Sequence, residues 1–294
     1  MDTRKLEELL LELIRRTSMD LPPDIENALK AGWRREKAGS PAKTTFKTMR
    51  SSARLSRSEG IPLCQDTGAQ VWHIHYPDGA ELIPVEYAIR RAVAQATMNS
   101  YLRPNAVDPV TGENSGTNLG DGSPIIYFHP WKKKSWEFKL LLKGGGSENC
   151  GAQYKLPDSF LGAEAGRDLD GVYRCVIYTV WRAQGKGCAP GIICVCIGGN
   201  RDTGMAEAKR QGFRKLDDKN PFPLLAKLEK KLYRDCNKLG IGPMGCGGKT
   251  TVLGVKIGRL HRLPACFFVS ISYLCWSARR CTMTLRGNTV KYFN

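Results

Sequence analysis

Long apolar segments are missing from this sequence of 294 residues. No uninterrupted apolar run approaches the ~20 residues that a membrane-spanning helix needs. The first 14 residues carry charges throughout, which excludes the apolar stretch of a secretory signal peptide. We therefore expect a cytoplasmic protein without a membrane contact, whose cysteines stay reduced because the cytosol is a reducing compartment.

Two common cofactor motifs are also missing. None of the 11 cysteines forms a Cys-x-x-Cys pair, which argues against a zinc ribbon or a thioredoxin-type site. Lys249 and Thr250 end a glycine-rich stretch, but Pro243 stands where a nucleotide-binding P-loop needs its first glycine. Two interpretations of the stretch remain. Its backbone N–H groups and Lys249 could hold a carboxylate, or it could be a tight turn with a surface lysine.

Positive charge is abundant, with a formal net charge of +17. Such a charge can indicate nucleic-acid binding, or it can suit an anionic small substrate or an acidic partner subunit. The basic residues form only short runs, and no zinc finger, aromatic RNA-binding signature or basic tail accompanies them. Solvated surfaces are therefore the favoured interpretation, and we expect no nucleic-acid partner.

Hydrophobic periodicity predicts a mixed α/β (α+β) fold. We expect one domain over residues 1–294, with a mainly helical opening over residues 1–60 and a mixed region of strands and helices over residues 61–294. Glycine-rich loops follow several strands, which suits a site assembled at one edge of a sheet. Helices are predicted over residues 6–16, 23–39, 41–60, 85–102, 168–184, 203–214 and 222–238. Strands are predicted over residues 71–76, 125–129, 136–143, 192–197, 252–257, 267–276, 282–285 and 289–292.

One short segment concentrates reactive side chains. Residues 61–68, IPLCQDTG, place a thiol, an amide, a carboxylate and a hydroxyl in a row between Pro62 and Gly68. Proline and glycine at these positions favour a turn that presents the side chains. Cys64 within it could act as a nucleophile, a redox group or a metal ligand.

Two other cysteines also lie where a regular element ends. Cys188 sits in Gly-Cys-Ala-Pro-Gly between a predicted helix and a strand, and Cys275 ends an apolar run before Trp276. Spacing alone does not distinguish three ligands of one site from three isolated thiols. Cys194 and Cys196 lie in one apolar segment and Cys266 in another, and all three are interpreted as small core residues. His73 and His75 share one face of a strand and could bind a metal, but packing is the favoured interpretation.

The order of several long motifs resembles a known family. Between residues 62 and 276 the chain contains, in this order, PLCQDTG, YLRPNAVDPVTGENSG, KGGGSEN, GCAPGI, IGGNRDTG, IGPMGCGGKTT and HRLPA followed by CW, within a match that runs from about residue 20 to the C-terminus. They resemble the class I, iron–sulfur fumarate hydratase and tartrate dehydratase family, in its alpha subunit or N-terminal half. The resemblance covers nearly the whole chain.

The resemblance implies a [4Fe-4S] cluster held by Cys64, Cys188 and Cys275. Three thiolates leave one iron open, whereas four would close the cluster and suit electron transfer. An open iron can act as a Lewis acid on the hydroxyl and carboxylate of a 2-hydroxy acid. That help matters because hydroxide is a poor leaving group.

The resemblance also implies roles for other residues. Asp66 would handle a proton or orient water, and Arg103 would bind a substrate carboxylate in a bidentate way. Without the family, Asp66 would be a turn cap and Arg103 would pair with Asp108. His261 is the candidate polar partner near the last ligand, although Leu263 stands where family members often have a second histidine. Contacts to substrate or cluster are expected from Gln65, Thr67, Gly145, Gly146, Asn149 and Lys249.

The implied activity is reversible hydration of fumarate to malate, with L-tartrate dehydration as the alternative. Because the single-chain family members continue into a second domain, we expect a separate beta subunit that completes the pocket and supplies the catalytic base. A hetero-oligomer or a homodimer of the alpha chain would result. A distant alternative from another class is a non-catalytic protein that interacts with partners or stores a cluster.

Overall fold

The computed structural model describes residues 3–159 and 165–293. Its contacts divide the chain into two compact units. In the described residues, the first unit comprises 3–23, 51–145 and 279–293, and the second comprises 24–50 and 146–278. Each unit is described below by itself. The expected single domain over residues 1–294 remains a prediction.

Eight α-helices occur in the described residues. They are α1 (Thr3–Met19), α2 (Pro23–Arg35), α3 (Pro41–Glu59), α4 (Ile83–Met98), α5 (Gly145–Glu148), α6 (Leu169–Ala183), α7 (Arg201–Arg210) and α8 (Pro223–Asn237). Local signals explain several of their starts. Proline occupies the first turn of α4 and of α8, where its missing N–H costs nothing. The Asp168 side chain caps α6 by accepting the Gly171 N–H, and Asn200 and Thr203 form a capping box on α7.

The strands form two sheets. They are β1 (Ala69–Pro77), β2 (Ile125–Trp131), β3 (Trp136–Lys143), β4 (Ala152–Lys155), β5 (Gly191–Ile197), β6 (Val252–Arg259), β7 (Phe268–Leu274), β8 (Arg279–Arg286) and β9 (Thr289–Phe293). The first unit contains a five-stranded sheet in the order β2-β1-β3-β8-β9, in which only β1 and β2 run parallel. The second unit contains a four-stranded sheet in the order β4-β7-β5-β6, in which β5 and β6 run parallel.

The core of the first unit lies between one face of its sheet and two helices. Leu6, Leu10 and Leu13 of α1 follow the helical spacing and are fully buried against this face, together with Ile89 and Val93 of α4. Burying an aliphatic side chain of this size contributes roughly 1.5–3 kcal/mol. This packing fixes which face of β1 and β3 points inward, and therefore where the turn before β1 lies.

The second unit has its own core. Val172 and Val176 of α6 pack with Leu232 of α8 and with the sheet residues Ile193 and Ile271. Strands β5 and β6 have almost no exposed residue, which agrees with their near-continuous apolar sequence. The start of β5 and the end of β7 lie at one edge of the sheet, because Ile192 pairs with Leu274 in antiparallel register.

The predicted mixed fold is confirmed, and the long loop over residues 103–123 contains no helix or named strand. Several details differ. The helices predicted over residues 23–39 and 85–102 end four residues earlier, at Arg35 and Met98, and β8 begins three residues before the predicted residue 282. The predicted helix over residues 203–214 is α7 followed by a 3₁₀ turn, Gln211–Phe213, so its boundaries were wrong. Strand β4 was not predicted, because a short polar edge strand lacks an apolar alternation. Gly145–Glu148 is a single helical turn, whereas the glycines predicted a loop. No described helix is both long and apolar enough to cross a membrane.

Candidate functional site

The turn that carries Cys64 is fastened to the first unit on both sides. Before it, the Leu63 N–H donates to the Ser18 carbonyl over 3.0 Å. After it, Gly68 has φ +82°, and a Cβ atom at this position would lie 2.5 Å from the Lys143 carbonyl group. Only glycine fits such a backbone conformation at so close an approach. Cys64 itself is half-buried.

Asp66 is held through both its side chain and its backbone. The Gly145 N–H donates to the Asp66 Oδ2 atom over 2.7 Å. The Arg279 Nη2 group donates to the Asp66 carbonyl over 2.8 Å. The carboxylate is therefore more than a cap of its own turn, since it reaches the chain just after β3. The Gly145 N–H, expected to face substrate or cluster, is used by Asp66.

The neighbouring polar residues differ in exposure. Gln65 is exposed, whereas Thr67 is 2% exposed and its Oγ1 accepts the Arg103 N–H over 3.0 Å. Thr67 thus places Arg103 beside the turn, and its contact with substrate remains a prediction. The Arg103 side chain is exposed and forms no ion pair with Asp108, whose carboxylate accepts the Val110 and Thr111 N–H groups. The hydrogen bond from the Thr111 N–H, which has the larger effect, and that from the Val110 N–H both lower the pKa of Asp108.

Cys188 and Cys275 come together in the second unit. Cys188 precedes β5 and Cys275 follows β7. Because β5 and β7 pair in antiparallel register, both cysteines lie at the same edge of the sheet. The Trp276 N–H donates to the Cys188 carbonyl over 3.1 Å, and the Cys275 Sγ lies 3.2 Å from the Ser277 Oγ. Cys188 has φ +54°, a strained value for a residue other than glycine. Such strain persists only where the surroundings enforce it, and it often marks a functional position.

The Tyr273 ring packs against the turn that carries Cys188. Its side chain is 1% exposed, and a Cβ atom at Gly187 would lie 2.5 Å from its ring. The glycine before Cys188 therefore lets the turn rest on the ring. Burial raises the pKa of the Tyr273 phenol, and negative charge on Cys150, Cys275 and Cys188 would raise it further. Cys150 is half-buried and lies close enough to interact electrostatically with the same phenol, which its sequence context does not indicate.

Most of the remaining cysteines are core residues, as predicted for Cys194 and Cys196. The prediction was wrong for Cys266, which is half-buried because it lies in the segment before β7. Burial raises the pKa of Cys175, Cys196, Cys236 and Cys281 to about 12. Because the thiolate is the form that binds metal, these four thiols are poor ligands. Cys64, Cys188 and Cys275 are all half-buried, which separates them from this group.

The segment after β3 leads to a small cavity in the second unit. Asn149 lines a cavity of about 190 Å³ that also contains the cationic side chains of Arg182 and Lys186. The cavity has no carboxylate among its described lining residues. Two positive charges without an acidic neighbour favour an anionic occupant. Gly146 lies next to this region, since a Cβ atom there would be 3.8 Å from the Lys186 carbonyl.

The glycine-rich stretch that ends at Lys249 and Thr250 binds a carboxylate side chain of the protein itself. The Lys249 N–H donates to both oxygens of Glu36, each over 3.0 Å, and Glu36 is 5% exposed. This geometry supports the interpretation of a tight turn. The Lys249 side chain is exposed, and its contact with substrate remains a prediction.

His261 lies in the exposed segment between β6 and β7. Its carbonyl accepts the Gly199 N–H over 3.3 Å, which ties this segment to the end of β5. Leu263, at the position where the family often has histidine, is 70% exposed. The structure thus places His261 at the surface of the second unit, and its catalytic role remains a prediction.

His73 and His75 gain a third histidine that sequence spacing had missed. His129 of β2 pairs with His75 in the parallel register of β1 and β2, and its Nε2 lies 2.9 Å from the His73 Nδ1. Only the pairing of these two strands brings the three rings together. Within residues 3–159 and 165–293, no group of three or more His, Cys, Asp or Glu is arranged to hold a metal ion.

The Cys64 turn lies beside a buried cationic side chain, which favours an anionic group in this part of the first unit. This side chain is Arg279, which is 1% exposed and whose Nε and Nη1 atoms have no hydrogen-bond partner in the described part of the chain. Buried cationic donors without partners favour an anion.

Comparison with known proteins assigns the class. The family model described as "Fumarate hydratase (Fumerase)" matches residues 7–284, so the chain belongs to the fumarate hydratase family. The resemblance inferred from the sequence motifs is therefore confirmed.

Individual relatives are more specific. The chain is 46% identical over 286 residues to a protein of Geobacillus stearothermophilus named "Putative fumarate hydratase class I", with 97% of the chain and 56% of the relative covered. It is 33% identical over 281 residues to "Putative L(+)-tartrate dehydratase subunit alpha" of Methanocaldococcus jannaschii, with 94% and 96% covered. It is 27% identical over 289 residues to the L(+)-tartrate dehydratase subunit alpha of Escherichia coli K12, with 97% and 92% covered. The chain thus spans about half the length of the class I relative.

Proposed function

We propose that this chain is the cluster-binding, alpha-type part of an iron–sulfur hydro-lyase that interconverts fumarate and malate. Family membership over residues 7–284 carries the proposal. The relative with 46% identity, whose name includes fumarate hydratase, supports fumarate as the substrate. Both fumarate hydratase and tartrate dehydratase are hydro-lyases, so the reaction type does not depend on the choice between them.

Cys64, Cys188 and Cys275 are the proposed ligands of a [4Fe-4S] cluster. Their half-buried positions support this, because a cluster that reacts with substrate needs thiols that are neither in the core nor fully in solvent. When bound, the cluster supplies an open iron that acts as a Lewis acid on the substrate hydroxyl and carboxylate.

Asp66 is the proposed proton-handling group. Its carboxylate stands two residues after Cys64 and is oriented by the Gly145 N–H. A carboxylate fixed by one donor keeps its other oxygen available to exchange a proton with substrate or water. Gln65, exposed beside it, is a proposed substrate contact.

Arg103 is the proposed clamp for a substrate carboxylate. Its backbone is fixed by Thr67, whereas its guanidinium group is exposed and forms no ion pair among the described residues. The planar fork of arginine matches a carboxylate with two parallel hydrogen bonds. Further proposed substrate contacts are Thr67, Gly146, Asn149 and Lys249, whereas the proposed role of Gly145 is to orient Asp66. His261 is the proposed polar partner near Cys275.

Tartrate is the second candidate substrate. The Methanocaldococcus jannaschii relative, which the alignment covers over 96% of its length, is named for tartrate dehydration. Tartrate carries one more hydroxyl group than malate, so a site adapted to it needs one more buried hydrogen-bond partner. Parallel assays with both substrates separate the two candidates.

A beta-type partner is the proposed source of the remaining pocket, including the catalytic base. The tartrate dehydratase relatives are named as alpha subunits, which supports such a partner. We further propose that the complete enzyme is a hetero-oligomer and acts in the cytoplasm.

The cluster is tested first. The full chain is reconstituted anaerobically with ferrous iron and sulfide, and iron and sulfide per chain are measured with the visible and electron paramagnetic resonance spectra. We expect a cluster in the wild type and its loss in Cys64→Ser, Cys188→Ser and Cys275→Ser. The matched controls are Cys246→Ser, at an exposed cysteine, and Cys266→Ser, at a half-buried one. A Cys275→Ser chain that keeps all of its iron overturns the ligand assignment.

Activity is tested with the loaded chain, alone and with a beta-type partner. We expect fumarate hydration to rise when the partner is added and to exceed tartrate dehydration. A loaded complex that is active only on tartrate selects the second candidate. A loaded complex that is inactive on both substrates refutes the catalytic proposal and favours a storage or interaction role.

A further inference from the structure

Arg279 is the most unusual buried charge of the first unit. Its side chain is 1% exposed and is one of the largest fully buried side chains in the described residues. An arginine side chain stays protonated in proteins, so this position holds a permanent positive charge. No carboxylate forms an ion pair with it in the described part of the chain. Charges buried in this way are normally paired, because an isolated buried charge is costly.

The hydrogen bonds of Arg279 point to the Cys64 turn. The Nη2 group donates to the Asp66 carbonyl over 2.8 Å, which is the only hydrogen bond that its guanidinium group makes to a described residue. Nε and Nη1 are buried and have no hydrogen-bond partner among residues 3–159 and 165–293. A planar group with one satisfied edge and two unsatisfied nitrogen atoms is suited to a further acceptor.

The register of the sheet explains how Arg279 reaches this turn. Arg279 is the first residue of β8 and pairs with Leu142 of β3, and Leu142 pairs with Gln70 of β1. All three side chains therefore lie in one row on the same face. Gln70 is 1% exposed, and its Nε2 donates to the Gly68 carbonyl, while its Oε1 accepts no hydrogen bond from any residue that the structure describes. The row thus leaves unsatisfied polar atoms beside the turn, within a face that is otherwise apolar.

We propose that Arg279 is a positioning residue for the Cys64–Gly68 turn, and that its buried positive charge is balanced by the anionic iron–sulfur group bound at Cys64. The inference rests on the proposed function, because it needs a cluster at this turn. Thiolate and sulfide ligands bring negative charge to the site, and hydrogen bonds and charges around a cluster tune its stability. Arg279 thus destabilises the empty chain and stabilises the loaded one.

Removal of the Arg279 charge should therefore stabilise the cluster-free chain and destabilise the loaded chain. In Arg279→Met, the long side chain remains but the charge is removed. We expect the cluster-free variant to melt at a higher temperature than the cluster-free wild type, because an uncompensated buried charge is gone. We expect the loaded variant to release iron to a chelator about 10-fold faster or more, the range typical of a residue that supports metal ligands. Iron release and melting temperature do not require catalytic activity.

Two further variants separate charge from general damage. Arg279→Lys keeps the charge but loses the planar fork, so its iron release should fall between those of the wild type and Arg279→Met. Arg286→Met lies at the exposed end of the same strand and should change neither measurement. A lower melting temperature of cluster-free Arg279→Met, together with iron release at the wild-type rate, overturns the inference and makes Arg279 a structural residue.

A dicarboxylate substrate is the other source of negative charge, and malonate distinguishes it. If malonate raises the melting temperature of the cluster-free wild type but not of Arg279→Met, the charge partner is a carboxylate and the assignment to the cluster is overturned. If malonate has the same effect on both chains, the assignment stands. A wild-type chain that binds no cluster overturns both this inference and the proposed function. A wild-type chain that loads normally beside an unchanged variant overturns this inference alone.

Discussion

The Asp66 carboxylate and the Gly145 N–H are 79 positions apart in the sequence and form a 2.7 Å hydrogen bond. This contact joins two of the motifs from which the family was inferred, PLCQDTG and KGGGSEN. It orients the carboxylate next to Cys64 with a donor from the backbone, which no side-chain substitution removes. The geometry therefore lets the charge of Asp66 be tested without disturbing its position.

Asp66→Asn should lower activity and leave the cluster in place. The asparagine Oδ1 can still accept the Gly145 N–H, so the turn should keep its conformation, whereas the side chain no longer exchanges a proton. We expect kcat to fall by roughly 10²–10⁴-fold, the usual contribution of a general acid or base. Iron per chain and fumarate hydration are measured on the same preparation. Asp78→Asn is the matched control, since Asp78 also accepts a backbone N–H, that of Gly79, in an exposed turn. Full activity of Asp66→Asn would contradict the assigned role.

Gly68→Ala should destabilise the first unit through a backbone clash. Gly68 has φ +82°, and the new Cβ would lie 2.5 Å from the Lys143 carbonyl group. Gly79→Ala is the control, because Gly79 has φ +72° with no atom within 4 Å of the added Cβ. Gly68→Ala should lower the free energy of unfolding by about 1–3 kcal/mol more than Gly79→Ala does, as at other overpacked positions. Guanidinium denaturation of both variants measures it, and equal losses would show that the turn can relax.

Gly187→Ala should displace the Cys188 turn, since the added Cβ would lie 2.5 Å from the Tyr273 ring. We expect a loss of roughly 1–3 kcal/mol in stability and less iron per chain. Tyr273→Leu removes the ring and should relieve the clash. The double variant should therefore lose less stability than the sum of the single variants, with a coupling of at least about 0.5 kcal/mol. Additive losses would mean that the ring does not limit the turn.

The buried thiols should make stability fall at alkaline pH. Burial raises the pKa of Cys175, Cys196, Cys236 and Cys281 from 9.0 to about 12. Below pH 9.0 the thiols are protonated in both states, so their contribution is fully present. Above it the unfolded chain loses protons first, and the contribution is lost as the pH rises towards about 12. Each thiol adds a slope of up to ~1.4 kcal/mol per pH unit within this window.

Cys196→Ala isolates one of these contributions. Its free energy of unfolding should decrease less steeply between pH 9 and pH 11 than that of the wild type. The difference between the two slopes should correspond to about one proton released on unfolding. Guanidinium denaturation under reducing conditions provides the slopes, and the constant cost of the small cavity does not affect them. Parallel slopes for the two chains would contradict the assigned pKa.

Local sequence signals were sufficient for most of the fold. The leucine spacing of residues 6–13 predicted α1, and the alternation over residues 136–142 predicted β3, because each pattern has the period of its element. Strand β4 and the short helix at Gly145 were missed. Their formation depends on pairing with β7 and on packing after β3, and neither contact leaves a local pattern.

The sequence by itself determined the class of protein, since the order of its motifs identified the fumarate hydratase family and named Cys64, Cys188 and Cys275 as candidate ligands. Tertiary structure decided what surrounds them. Strand register brings Cys188 and Cys275 to one sheet edge, and it brings Arg279 to the carbonyl of Asp66. These contacts join residues that are far apart in the chain, so no local pattern predicts them. Burial and unsatisfied polar atoms, which mark the surroundings of the cysteines, exist only once the chain has folded.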